Sequence, residues 1–150
     1  MRNNQDNSTQ KEFFAYFVEQ FADLRILRYQ VPGFETLSIK KKKLIFYLSE
    51  AALWGRDIIF DQNFKYNLVI RRLLESIIKN YKGNKDSGQW QEFMIYTKRI
   101  WFSNGIHHHY STDKFLPRFS KDFFIDSLNH IPENIWPVNL SRDEVIQKIV

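Results

Sequence analysis

The sequence predicts an all-α protein, built as an irregular array of about five to six helices. Three observations favour this fold class. Apolar residues recur roughly every three to four positions along most of the chain, residues that can cap a helix precede several of these stretches, and no alternating stretch long enough for a strand is visible. The chain also shows no internal repeat of about 20–50 residues.

The composition is that of one globular domain. The chain has 150 residues, of which 43% are hydrophobic and 26% are charged. It contains no cysteine, which excludes disulfides, thiolate nucleophiles and thiolate metal sites. We expect the polar residues 1–10 to form a disordered tail and residues 11–150 to form a helical region.

Targeting signals are not apparent. The apolar runs are too short to span a bilayer, and the polar start has neither the apolar segment nor the cleavage site of a signal peptide. We therefore expect a cytoplasmic protein that does not bind membranes. The alternative is an export signal that has been trimmed away.

The first two helices are predicted on either side of a break at residues 31–34, where proline and glycine interrupt the pattern. The first covers residues 12–27. Its inner face would consist of Phe13, Phe14, Phe17, Phe21 and Leu24. The second is expected to begin near Thr36 or Ser38, either of which can cap it. Its inner face would consist of Leu44, Tyr47, Leu48, Ala51 and Ala52.

The second half of the chain is predicted to hold the remaining helices. Residues 61–63 resemble a turn, and a third helix covers residues 66–81 with apolar pairs at helical spacing. Asp86 or Ser87 can cap a fourth helix that runs to about Trp101. A short helix follows Ser120, after a non-periodic stretch.

The last helix is predicted from a capping box at residues 141–144. Only about ten residues of it are present, and they stop on an apolar pair, although short helices need packing partners. Since chain ends are more often polar, we expect Val150 to be a truncation point within this helix.

The three consecutive histidines, His107 to His109, are the most conspicuous chemical feature. Neutral imidazole is a good zinc ligand, but adjacent residues of an extended chain point to opposite sides, so only His107 and His109 could share an ion. A third ligand at a recognised spacing and a His-Glu-x-x-His motif are both missing. We expect no metal bound by this chain alone. The loop is either a polar surface loop or a surface suited to hydrogen-bonding a peptide backbone.

Other catalytic or binding signatures are weak. The five glycines are scattered and form no phosphate loop, and no spacing marks a Ser-His-Asp triad. Four lysines at positions 40–43 accompany a net charge of +5. Successive helical residues are about 100° apart, so these lysines surround the helix and do not form one phosphate-binding face. We expect no nucleic-acid partner, and a basic nucleic-acid binder is the least favoured function.

Three stretches of the chain resemble the start of bacterial dipeptidyl peptidase III proteins. Residues 17–34 read FVEQFADLRILRYQVPGF, and residues 47–63 read YLSEAALWGRDIIFDQN. Residues 101–110 read WFSNGIHHHY and are followed by DKFLP at 113–117. The stretches occur in the order expected for that family, and together they are more specific than any one alone.

The resemblance implies part of a two-lobed zinc exopeptidase that releases dipeptides from the N-termini of short peptides. The family's zinc site uses a His-Glu-x-x-Gly-His helix and a downstream Glu, where the metal activates water and the motif's Glu is the general base. This chain contains none of that motif. The similarity therefore covers only the N-terminal helical part of the lobe without zinc, and we expect the chain to be inactive by itself.

The resemblance also implies that the loop after the fourth helix faces the cleft between the lobes. The candidate substrate-binding residues carried over from it are Asn104, His107, His108, His109 and Tyr110. Tyr110 would pack on a substrate side chain. The alternative is that Ser103 and Asn104 only cap the helix while the histidines face water. A second hypothesis for the whole chain is a stand-alone helical binding module without catalysis.

Overall fold

The computed structural model describes residues 14–149, so the tail predicted at residues 1–10 and the chain end at Val150 lie outside the described part. The fold is mostly helical, as predicted, with one small antiparallel sheet. Its elements are β1 (Phe17–Phe21), β2 (Leu24–Leu27), α1 (Ile39–Trp54), α2 (Arg56–Asn63), α3 (Asn67–Asn80), α4 (Gly88–Ser103), α5 (Lys121–Asn129) and α6 (Arg142–Ile149). The chain divides into two compact units, Met1–Leu37 and Ser38–Val150.

The first unit corrects the prediction of a helix over residues 12–27. Strands β1 and β2 form a hairpin in which Phe17 lies opposite Leu27 and Phe21 opposite Leu24. Ala22 takes a positive φ of 48° in the two-residue turn, a conformation that a continuing right-handed helix does not contain. Phenylalanine, valine and isoleucine favour strands, and the pairing of two short strands supplies backbone hydrogen bonds that periodicity within one segment does not reveal.

The second unit begins with α1, which Ser38 caps by accepting a hydrogen bond from the Lys41 backbone N–H at 3.4 Å. The predicted start is confirmed, but the predicted inner face is wrong because α1 contains no buried residue. Its large apolar side chains are 42–87% exposed. They surround the helix, so their spacing does not single out one inward face.

Helix α2 replaces the turn predicted at residues 61–63. Gly55 ends α1 in a right-handed helical conformation, and the chain turns directly into the next helix. Phe60 from α2 is 1% exposed and belongs to the core, so burial of this ring holds in place a helix whose last residues are polar.

The hydrophobic core lies among α3, α4 and α5, whose predicted positions are confirmed within a few residues. Its buried apolar side chains from these helices are Ile70, Leu73, Leu74, Ile77, Trp90, Phe93, Ile100, Phe124 and Leu128. Aromatic stacking extends the core, with the rings of Tyr81 and Trp90 4.5 Å apart and 11° from parallel.

The helix caps follow the predicted serines. Ser87 accepts a hydrogen bond from the Trp90 N–H at 3.2 Å, and Ser120 accepts one from the Phe123 N–H at 3.1 Å. Ser141 and Glu144 form the predicted reciprocal capping box, with hydrogen bonds of 2.9 and 3.2 Å. In the described part of the chain, none of the helices has the length and apolar character needed to cross a bilayer.

Arg71 joins α2 to α3 from a nearly buried position, with 6% of the residue exposed. Its Nη1 lies 2.5 Å from Asp57 Oδ1 and its Nε lies 2.8 Å from Glu75 Oε1. The guanidinium carbon is 4.9 Å from the centre of the Phe60 ring. The hydrogen bond from Arg71 lowers the pKa of Asp57 below its usual value of 3.8. The buried cation is therefore paired and hydrogen-bonded, as burial requires.

We predict that Asp57→Asn lowers the free energy of unfolding by about 1 kcal/mol near neutral pH, a modest cost because Asp57 is half-exposed and solvent screens the pair. A carboxyl with a lowered folded-state pKa stabilises the protein above its unfolded-state pKa, and this contribution is lost as the pH falls through the folded-state pKa. The difference between wild type and variant should therefore shrink in acid. Denaturant unfolding of the wild type and the variant, at neutral and at acid pH, measures this difference in stability. Asp61→Asn, at an exposed position of the same helix, is the control; an equal loss in that variant would contradict the assignment to Arg71.

Candidate functional site

The loop that carries the histidines begins at the C-terminus of α4. Asn104 adopts the left-handed conformation, with φ 55° and ψ 36°, and its backbone N–H donates to the Ile100 carbonyl. Gly105 follows with φ 152°, a backbone conformation that residues with a side chain rarely adopt. Asn104 therefore caps the helix, as the alternative interpretation of this loop proposed, and the two residues turn the chain sharply out of the helix.

The side chain of Asn67 anchors this turn. Asn67 stands at the start of α3, is 1% exposed, and accepts a hydrogen bond from the Ile106 backbone N–H through Oδ1 at 3.1 Å. A Cβ added to Gly105 would lie 2.2 Å from Asn67 Nδ2. The turn therefore requires a glycine at position 105 for two reasons, its backbone conformation and the closeness of this amide.

Backbone hydrogen bonds close the rest of the loop. An antiparallel bridge pairs His107 with Lys114, and the His108 N–H donates to the Asp113 carbonyl at 2.8 Å. At the tip, the Ser111 hydroxyl donates to Asp113 Oδ2 at 3.0 Å. The segment predicted to be irregular is thus a short, internally bonded hairpin-like loop.

Aromatic contacts order the three imidazole rings. The ring of His107 meets Phe64 edge-on at 5.8 Å, whereas His108 and His109 stack with their centres 4.5 Å apart. His108 Nδ1 accepts a hydrogen bond from the Tyr110 N–H at 3.2 Å, which puts the proton of the neutral ring on Nε2. These contacts restrict the positions of the three rings, and the ring nitrogens that they leave free can form hydrogen bonds with a ligand.

A polar cavity of about 270 Å³ lies beside these rings. Four of the five predicted site residues line it: Asn104, His107, His108 and His109. Its other lining residues are Asn63, Asn67, Ser103, Gly105, Ser111 and Thr112. Amide, hydroxyl and imidazole groups can donate and accept hydrogen bonds, so the cavity can bind a polar ligand such as a peptide backbone.

Tyr110 does not line this cavity. It is 88% exposed, and its ring centre lies 4.2 Å from that of His109. The side chain therefore stands next to the stacked histidines with most of its apolar surface in solvent. It is available to pack on a ligand that extends beyond the polar cavity.

The three histidines are also the residues of the loop whose side chains are good ligands for a metal ion such as zinc. Among residues 14–149, the structure contains no group of three or more His, Asp or Glu side chains arranged to hold an ion. The rings of His108 and His109 stack on each other, and a hydrogen bond occupies His108 Nδ1.

Six residues line the cavity that were not among the predicted site residues: Asn63, Asn67, Ser103, Gly105, Ser111 and Thr112. Both Asn67 Nδ2 and Ser103 Oγ are buried without a hydrogen-bond partner in the described part of the chain. The one signal in the sequence that could have pointed to Asn67 was a polar residue at the start of an amphipathic helix. Asn67 is separated from Ile106 by 39 positions, so the helix pattern could not reveal this contact.

Comparison of the sequence with protein-family models gave no match, and comparison with curated proteins gave no significant match.

We predict that Gly105→Ala destabilises the fold by about 1–3 kcal/mol, because the methyl group would collide with Asn67 and the backbone conformation would be strained. The Ile106 amide resonance should shift as its hydrogen bond lengthens. Denaturant unfolding and ¹H–¹⁵N spectra give the two measurements. Gly88→Ala is the matched control, since a Cβ there meets no atom within 4 Å and α4 should tolerate alanine. Equal stability of the two variants would show that the Asn67 contact does not constrain the loop.

Proposed function

We propose that this chain is the N-terminal helical part of a dipeptidyl peptidase III-like zinc exopeptidase and supplies part of the surface that binds the peptide. In this proposal the zinc site belongs to another part of the enzyme, so the chain alone has no catalytic activity. Its contribution is to bind and orient a peptide through the loop after α4.

The observation that carries the proposal is where the resembling stretches lie in the fold. Asn63 ends the second of them, and Asn104 to His109 belong to the third. One residue of the second stretch and several of the third line the same polar cavity, although the two stretches are separated by α3 and most of α4. Sequence similarity that converges on one polar cavity supports a binding role for that cavity.

The chemistry of the cavity suits a peptide backbone. A peptide presents carbonyl acceptors and N–H donors in alternation, and amide, hydroxyl and imidazole groups can bind both. Tyr110 adds a large exposed apolar ring beside the cavity, where a substrate side chain can pack on it. A polar cavity next to an exposed ring is the combination expected of a surface that binds both the backbone and a side chain.

The exposed apolar surface of α1 also supports the proposal that this chain functions as part of a larger protein assembly. Its apolar side chains include Trp54, which is 87% exposed, and Tyr47, which is 65% exposed. Large exposed apolar patches are typical of interaction surfaces. The same observation is compatible with the second hypothesis, a helical binding module without catalysis, and the assays below separate the two.

The first assay adds zinc and a dipeptidyl-arylamide to the purified chain. We expect no turnover, since the chain contains no zinc motif and a site without metal-activated water cannot hydrolyse the amide by this route. Turnover at a rate comparable with that of a complete zinc peptidase would contradict the proposal.

The second assay titrates the chain with a short apolar peptide and follows ¹H–¹⁵N shifts. We expect the shifts to concentrate at His107 to Tyr110, and Tyr110→Ser to weaken binding by about fivefold, as for an aromatic contact worth about 1 kcal/mol. Tyr29→Ser, at another exposed tyrosine, is the control and should bind like the wild type. Shifts confined to α1, with no effect of Tyr110→Ser, would favour the binding module.

A further inference from the structure

A second cavity, of about 350 Å³, lies among α3, α4, α5, α6 and the loop that holds Ile106 and Phe115. Its volume falls within the range of about 300–1,000 Å³ that is typical of small-molecule sites. The apolar side chains that form most of its walls include Phe64, Ile70, Leu74, Phe115, Phe119 and Phe124. The cavity therefore offers an apolar, largely aromatic environment to the body of a ligand.

Three lysines stand around this cavity. Lys114, Lys121 and Lys148 all belong to its lining, and all three are exposed. Lys148 pairs with Glu144 at 2.8 Å, and the ammonium of Lys114 lies 5.8 Å from the centre of the Phe64 ring. Lys121 has no ion-pair partner among residues 14–149. No carboxylate of the described residues lines the cavity, and although Glu144 offsets the charge of Lys148, Lys114 and Lys121 leave the rim positively charged.

The hydroxyl of Tyr96 adds a neutral donor in the wall. The ring packs against the core and meets Phe119 edge-on at 5.6 Å. Burial raises the pKa of Tyr96 to about 12. The side chain therefore remains protonated throughout the physiological range and can donate a hydrogen bond to an anion.

We propose that this cavity binds a small carboxylate with an uncharged apolar body, either aromatic or aliphatic. The apolar walls receive the body, and the carboxylate lies toward the lysines and the Tyr96 hydroxyl. Burying apolar surface supplies most of the affinity, while the charged and hydroxyl groups select for an anion.

The charge of the rim separates this site from the peptide surface of the proposed function. A peptide with a free N-terminus carries an ammonium group, which the charges of Lys114 and Lys121 repel. The polar cavity lined by His107 and Asn104 has no lysine or arginine in its lining. The two cavities therefore call for different ligands, and binding at this one does not depend on peptidase activity.

The test uses the full chain and three probes of similar shape: naphthoate, the neutral naphthalenemethanol and the cationic naphthylmethylamine. In ¹H–¹⁵N titrations we expect naphthoate to bind with a Kd of about 1 mM or tighter, the alcohol about tenfold more weakly, and the amine not at all. The naphthoate shifts should concentrate at the backbone of Ile106, Phe115 and Lys121.

Substitutions at the rim test the role of charge. We expect Lys114→Gln with Lys121→Gln to weaken naphthoate binding about tenfold and to leave binding of the alcohol unchanged. Tyr96→Phe, which retains the ring, should weaken naphthoate binding about threefold.

The control is the pair Lys41→Gln and Lys43→Gln, which removes the same charge beside the exposed apolar side chains of α1. This variant should bind naphthoate like the wild type. Equal binding of naphthoate and the alcohol, or equal losses in the two double-lysine variants, would overturn the proposal.

Discussion

The shape of the histidine loop depends on one side-chain amide. Asn67 is nearly inaccessible to solvent, and its oxygen accepts the Ile106 N–H, so the start of α3 holds the chain as it leaves α4. Gly105 makes this contact possible because any side chain would occupy the space of the amide. The position of the histidines therefore depends on Asn67 and Gly105, although neither residue was predicted from the sequence to bind a ligand.

The same anchor separates two cavities of opposite character. Ile106 lines the apolar cavity and His107 lines the polar one, as expected when successive residues of an extended segment point to opposite sides. Helix α3 also contributes to both cavities: Asn67 lines the polar cavity, and Ile70, about one turn further on, lines the apolar cavity. A shift of the segment that begins at Ile106 would therefore alter both cavities together.

Packing against the core does not explain the stability of helix α1, because none of its residues is buried. The helix has a well-formed cap and good helical geometry, yet it contributes no buried side chain. Helices in water are stabilised mainly by packing of an apolar face, and α1 lacks that packing within the described residues. In the proposed peptidase, further protein would cover this surface, which is a physical reason to regard α1 as an interface.

Local sequence determined much of this fold. The apolar pairs of α3 and the serines that cap α1, α4 and α5 predicted their helices, because helical periodicity and capping depend on residues within a few positions of each other. The Ser141–Glu144 capping box was predicted for the same reason. The histidine run was visible as a candidate ligand-binding loop, because its chemistry resides in adjacent residues.

Only the tertiary structure decided the remaining features. The hairpin of β1 and β2 replaced a predicted helix because pairing between two segments outweighed the spacing within one. The predicted inner face of α1 is exposed, since an apolar pattern does not specify which partner covers it. The cavity wall formed by Asn67 depends on a contact 39 positions away along the chain. Such contacts follow from how helices pack around a common core, which local spacing does not encode.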